Sequence, residues 1–97
     1  MENIFSPNQR IIILQGLQRD PAYRLSTDML QRLLHSYGHT MGIADVNDQV
    51  NWLERRGYLK AERLAKGLVI AELCRPGVDV ALGSVRAEGI DPPIKED

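Results

Sequence analysis

A single cysteine, five aromatic residues and no uninterrupted apolar run longer than four residues are what this 97-residue chain offers where other chains carry their strongest signals. Cys74 alone can close no internal disulfide and build no structural zinc site, which fits a reducing compartment; it reads as a small buried hydrophobe on a strand. The run Ile11-Ile12-Ile13-Leu14 falls far short of the ~20 apolar residues that cross a bilayer, and no charged-then-apolar leader opens the chain, so a cytoplasmic protein without a membrane partner is expected. Charge of one sign is missing as well. Twelve basic against thirteen acidic residues argue against a binder that holds any nucleic acid by bulk charge. No glycine-rich loop leads from a strand into a helix, no serine stands in a His–acid arrangement, and no carboxylate pair is isolated in an apolar run, so no enzyme chemistry is indicated.

With 43% hydrophobic and 26% charged residues the composition is that of one soluble domain with a modest core. Ser6-Pro7 reads as a capping hydroxyl and a first-turn proline opening a helix that runs to about Arg19, where Asp20-Pro21 ends it. Ile11, Ile12, Leu14 and Leu17 do not fall on one stripe, so this helix is expected to be covered on more than one side, by its own domain and by a partner. A second helix begins at Ser26-Thr27-Asp28, with Leu25 placed to staple onto Leu30 and Met29, Leu30, Leu33, Leu34 and Tyr37 as its buried face. Gly38 supplies a left-handed cap, and the turn through Gly42 leads into a third helix with the apolar stripe Ile43, Val46, Val50 and Leu53. Two helices joined by a short glycine-bearing turn make a helix-turn-helix unit.

After Gly57 the period changes. Residues 59–63 and 69–73 read as two strands of a hairpin, with Lys66-Gly67 providing the positive φ of a tight tip. Arg75-Pro76-Gly77 should break the second strand, and residues 78–82 add a helical turn or two before Gly83. The expected fold is mainly α with a small β-hairpin, a winged helix-turn-helix over residues 1–85. Residues 86–97, with Pro92-Pro93 and a charged end, hold too little apolar content to pack alone and read as a flexible tail.

Three segments resemble a known group of proteins: Leu34-His35-Ser36-Tyr37-Gly38-His39; Trp52-Leu53-Glu54-Arg55-Arg56-Gly57-Tyr58-Leu59 with Val46 and Val50 before it; and Leu73-Cys74-Arg75-Pro76-Gly77-Val78-Asp79-Val80-Ala81-Leu82-Gly83. They are similar to the small winged-helix proteins of Mu-like phages and prophages, commonly labelled ArsR-like regulators. The resemblance spans roughly residues 8–90 and implies a winged-helix fold and a phage or prophage gene; it brings no catalytic residues. The Gly89-Ile90-Asp91-Pro92-Pro93 stretch departs from that group, with Asp91 or Pro92 where a basic residue is often found.

The expected function is a DNA-binding transcription regulator, acting as a homodimer on double-stranded DNA without a cofactor or metal. Asn47 and Asn51, four apart on the third helix, are the candidate base readers, because a carboxamide can contact the adenine edge bidentately. Arg55, Arg56, Lys60, Arg63 and Lys66 are the candidate phosphate contacts, five basic residues against Glu54 and Glu62 in that stretch. Both sets have a plainer explanation as solvated surface, as cations favouring a helix C-terminus, and as charges guarding a sheet edge. Asp45 and Asp48 meet phosphate with the wrong sign, which keeps open a second reading: a winged-helix interaction module with a phage or host protein partner. His35 and His39 stand four apart, but Gly38 ends the helix between them, so His39 is expected to order the turn rather than bind metal.

Overall fold

In the computed structural model residues 3–95 are described. They form four α-helices and a three-stranded antiparallel sheet, a small α+β domain: α1 (Ser6–Arg19), β1 (Arg24–Ser26), α2 (Thr27–Ser36), α3 (Ile43–Arg55), β2 (Leu59–Arg63), β3 (Val69–Leu73) and α4 (Arg75–Ala81). The sheet order is β1-β3-β2, with Leu25 opposite Ala71 and Ala61 opposite the same residue from the other side. β1 is a strand that the sequence pattern did not predict. Three residues give no measurable alternation, and the strand exists only through its pairing with β3.

α1 is the centre of the molecule, in contact with α2, α3, α4 and β3. Ile11, Ile12, Ile13, Leu14 and Leu17 are all buried, Ile12 at 1% exposure being the least enclosed of them. A helix surrounded on all sides has no polar face, which explains why its apolar residues follow no single stripe. The cover comes from the chain itself, so the expectation that part of α1 would be left for a partner is corrected. Ser6 is corrected as well: Phe5 is the N-cap, Ser6 lies inside the helix, and its buried hydroxyl accepts from the Gln49 side-chain amide at 2.9 Å.

α2 opens where expected, with the Ser26 hydroxyl accepting from the Met29 N–H at 3.2 Å. Its buried stripe is Thr27, Leu30 and Leu34, whereas Met29 is turned outward at 49% exposure. α3 buries Val46, Val50 and Leu53 as its periodicity requires, but Ile43, in its first turn, is 40% exposed. Gly38, at φ +94°, turns the chain between them. The expected role of His39 is borne out: its ring hydrogen-bonds the Asn8 carboxamide at 2.7 Å and Gln9 at 3.4 Å, tying the turn to α1.

The C-terminal segment is the largest correction. Residues 86–95 dock along α1 instead of trailing as a flexible tail; residues 96 and 97 of that expectation lie outside the described residues. Ile90 enters the core, Ile94 packs against it, and the Asp91 N–H donates to the Pro7 carbonyl at 3.1 Å. Gln15 grips the backbone of Ile94 twice, accepting from its N–H at 3.0 Å and donating to its carbonyl at 3.2 Å. Arg10, buried in α1, donates to the Gly89 carbonyl at 2.9 Å and to Gln49 at 2.8 Å. A segment too poor in apolar residues to pack alone is held by α1 side chains that satisfy its backbone groups. α4 also differs: it starts at Arg75, three residues earlier than expected, because Pro76 stands in its first turn, where no N–H is required. Cys74 is half-buried at the joint before α4 rather than enclosed in a strand.

Candidate nucleic-acid interface

α3 packs against β2, and six of the seven predicted contact residues lie on α3 or the β2–β3 hairpin, the seventh, Arg56, capping α3. The hairpin tip is a short turn at Ala65–Gly67 in which Lys66 and Gly67 both take positive φ, +64° and +76°, as the sequence required. It is closed by the Leu64 N–H donating to the Leu68 carbonyl at 2.7 Å. Lys66 is thereby held in the hairpin turn, exposed to solvent.

The five cations differ in how free they are. Arg55, Lys60 and Lys66 are exposed, and no hydrogen bond or ion pair engages them among the described residues. Arg56 lies over the Trp52 ring, its guanidinium carbon 3.7 Å from the ring centroid, while Arg10 stacks over the same ring at the same distance. Trp52 is thus half-buried between two guanidiniums, an arrangement in which aromatic quadrupole and cation attract. Arg63 is the most engaged of the five. Its Nη2 donates to Glu54 Oε1 at 2.9 Å and to Asn51 Oδ1 at 2.6 Å, and its Nη1 to the Ala61 carbonyl at 3.3 Å.

Glu54 is the residue of this surface whose place sequence reasoning missed. Its second oxygen accepts from the Ala61 N–H at 2.9 Å, so one carboxylate joins the last turn of α3 to β2. The Arg63 hydrogen bond, then the Ala61 N–H, hold its carboxyl below the ordinary value of 4.5, against a smaller opposing effect of burial and with further help from the Arg63 charge. The outer face of the sheet is internally paired in a similar way: Arg24 meets Glu62 at 3.1 Å and Glu72 at 3.3 Å. Two acids beside Lys60 are thereby taken up by a cation of β1.

The two asparagines are not equivalent. Asn51 carries its carboxamide toward the hairpin, where its oxygen receives Arg63. Asn47 is half-buried, and its Oδ1 is enclosed without a hydrogen-bond partner among the described residues, so that oxygen is not presented to a ligand. Asp45 and Asp48 are exposed and border a cleft of about 640 Å³ between the start of α3, the turn after α2 and the start of α1, lined also by Phe5, Gln9, His39 and Met41. One end of α3 is therefore acidic and the other, next to the hairpin, basic.

Across 93 residues the chain is 30% identical to the uncharacterized protein gp26 of Escherichia phage Mu, covering 96% of this chain and 95% of that protein. It belongs to the family of phage Mu gp26. An uncharacterized protein of Haemophilus influenzae strain Rd is 28% identical over 72 residues, covering 74% of this chain and 70% of its own length. No family model and no solved structure matches the chain. The Mu-like relationship expected from the three segments is thus shown for nearly the whole chain, and it includes the C-terminal segment that docks on α1. No helix among the described residues is long and apolar enough to cross a membrane.

Proposed function

We propose that this member of the gp26 family is a winged helix-turn-helix protein that binds double-stranded DNA and serves a Mu-like phage or prophage as a transcription regulator. The supporting observation is the order of elements: two helices joined by a glycine-bearing turn, α2 and α3, are followed by an antiparallel hairpin with Lys66 in its turn and Lys60 near its base, where α3 ends at Arg55. A helix of this kind fits the major groove while the wing tip reaches the flanking backbone. Lys60, Lys66 and Arg55 then supply phosphate contacts, which give affinity and orientation but no sequence information. Asn51, half-buried with its oxygen on Arg63, is the stronger base-reading candidate; Asn47, equally half-buried but with its oxygen enclosed, is the weaker of the two.

A salt titration tests the reading. Each phosphate contact adds about −0.9 to the slope of log affinity against log salt, so Lys66→Ala is expected to flatten the slope by roughly one contact on any duplex. Asn51→Ala is expected to cost ~1–3 kcal/mol on a preferred site and little on random sequence. Absence of binding by the wild-type protein at low salt to duplexes from around its own gene would end the regulator reading.

The second reading, an interaction module for a phage or host protein, is favoured by the acidic cleft. Phe5 and Met41 beside Asp45 and Asp48 offer an apolar and anionic recess to a protein surface and repel a phosphate. Asp48→Asn separates the two: it should strengthen duplex binding if α3 enters the groove, and it should leave duplex binding untouched if the cleft serves a protein. With α1 enclosed, the homodimer is assigned to Leu82 and Val85, 59% and 51% exposed after α4 and two among several exposed large apolar residues. A Val85→Glu protein that scatters light as the wild type does would remove that surface from the assembly.

A further inference from the structure

We propose that Glu54 withholds Arg63 from nucleic acid: its carboxylate holds the guanidinium Nη2 that a phosphate would otherwise engage, and so sets how weakly the protein holds DNA of arbitrary sequence. This rests on the reading of α3 and the hairpin as the DNA-facing surface. Carboxylate and phosphate oxygens make the same demand of a guanidinium, two N–H donors in a planar fork, so they compete for one residue. Glu54 is fixed for that competition, because Arg63 holds one of its oxygens at 2.9 Å and the Ala61 N–H holds the other, also at 2.9 Å. The pair is at the surface: the Arg63 side chain is 52% exposed and Glu54 32%. A phosphate can therefore reach the guanidinium, but it gains Nη2 only by displacing or sharing an acid already in place. Among the described residues Arg55, Lys60 and Lys66 have no such acid against them, which singles out Arg63 within the cluster.

The same exchange reaches the base-reading side chain. Asn51 Oδ1 accepts from Arg63 Nη2 at 2.6 Å, so while Glu54 holds Arg63 one acceptor site of Asn51 is filled and its amide N–H groups are what it offers. A bidentate adenine contact asks for an acceptor toward N6 and a donor toward N7. Moving Arg63 onto a phosphate releases the Asn51 oxygen for that contact. Backbone engagement by the hairpin and base reading by α3 are thereby coupled through one guanidinium, with Glu54 favouring the disengaged arrangement.

The test uses the full-length protein and a random-sequence 20-base-pair duplex, with fluorescence anisotropy over a range of salt for wild type, E54Q, R63Q and the E54Q/R63Q double variant. E54Q is expected to tighten binding roughly fivefold to tenfold near 0.1 M salt and to steepen the slope by about 0.9, the signature of one added phosphate contact. R63Q alone should stay within about twofold of wild type, and adding R63Q to E54Q should abolish the gain. A gain that survives in the double variant would mean simple removal of negative charge and would overturn the proposal. So would wild-type binding that E54Q leaves unchanged, or that R63Q alone weakens by a full contact. If neither wild type nor E54Q binds any duplex at low salt, the DNA-facing reading itself falls. Thermal melts establish that each variant is folded at the assay temperature; should E54Q melt below it, E54D keeps the charge, shortens the reach and is expected to shift binding in the same direction.

Discussion

Ile12→Glu is expected to leave no folded protein. Ile12 sits at mid-length in a helix wrapped by three other helices and the sheet, with Ile11, Ile13 and Leu14 equally enclosed around the barrel of α1. A carboxylate placed there loses its hydration and meets no cation, a cost of several kcal/mol on top of the lost apolar contacts. Domains of this size have about 5–15 kcal/mol of stability in total, so one such substitution takes most or all of it. Ile12→Val, by contrast, removes one methylene and is expected to cost ~0.5–1.5 kcal/mol. Circular dichroism with urea titration distinguishes the outcomes. A soluble, cooperatively folding Ile12→Glu protein would show that α1 carries an exposed face after all, and would restore it as a surface for self-association.

The contrast between α1 and α3 shows what the sequence could convey. α3 spaces Val46, Val50 and Leu53 at helical intervals because it buries one side, and its buried face is legible from the spacing alone. α1 buries every side, so its pattern announced a helix but not what covers it. The missing cover includes residues 87–94, whose attachment depends on Gln15 and Arg10 gripping backbone groups 79 positions away. Backbone atoms carry no sequence signal, and a buried arginine or glutamine looks like surface when read singly. The candidate interface was legible to the extent that it is made of cations on one helix end and one hairpin. Its acid was not: Glu54 and Arg63 are nine residues apart, with a helix end, a glycine turn and the rest of β2 between them, so neither helical nor strand periodicity places them together. Nor did the spacing that made Asn47 a candidate base reader allow for the enclosure of its oxygen.

Gly77→Ala is expected to be the most damaging exchange of a glycine in the chain, although alanine is the better helix former by about 1 kcal/mol and Gly77 lies inside α4. A Cβ at that position would collide with the carbonyl oxygen of Tyr58, stand 3.1 Å from the carbonyl carbon, and lie 2.6 Å from Leu73 Cδ1. The leucine could turn aside, but the carbonyl cannot do so cheaply, because it accepts the Cys74 N–H at 3.0 Å and so joins the start of β2 to the entry of α4. α4 must therefore lift from the sheet, and it packs against α1, so the strain spreads into the core. Overpacking of this kind costs ~1–3 kcal/mol and more where backbone is the obstacle, enough to outweigh the helical gain. Gly16→Ala provides the comparison: its Cβ would meet only the end of the Leu33 side chain, which can change rotamer, so a smaller loss is expected. In urea titration the order of midpoints should be wild type, then Gly16→Ala, then Gly77→Ala. A Gly77→Ala protein as stable as the wild type would mean that α4 does not lie against the Tyr58 carbonyl, and the close seat between helix and sheet would have to be given up. The contact also explains why a glycine opens the segment Gly77-Val78-Asp79-Val80-Ala81-Leu82-Gly83. The first glycine admits the sheet's backbone, Val80 and Ala81 face the core, and Gly83, at φ +83°, ends the helix and turns the chain toward the segment that closes over α1.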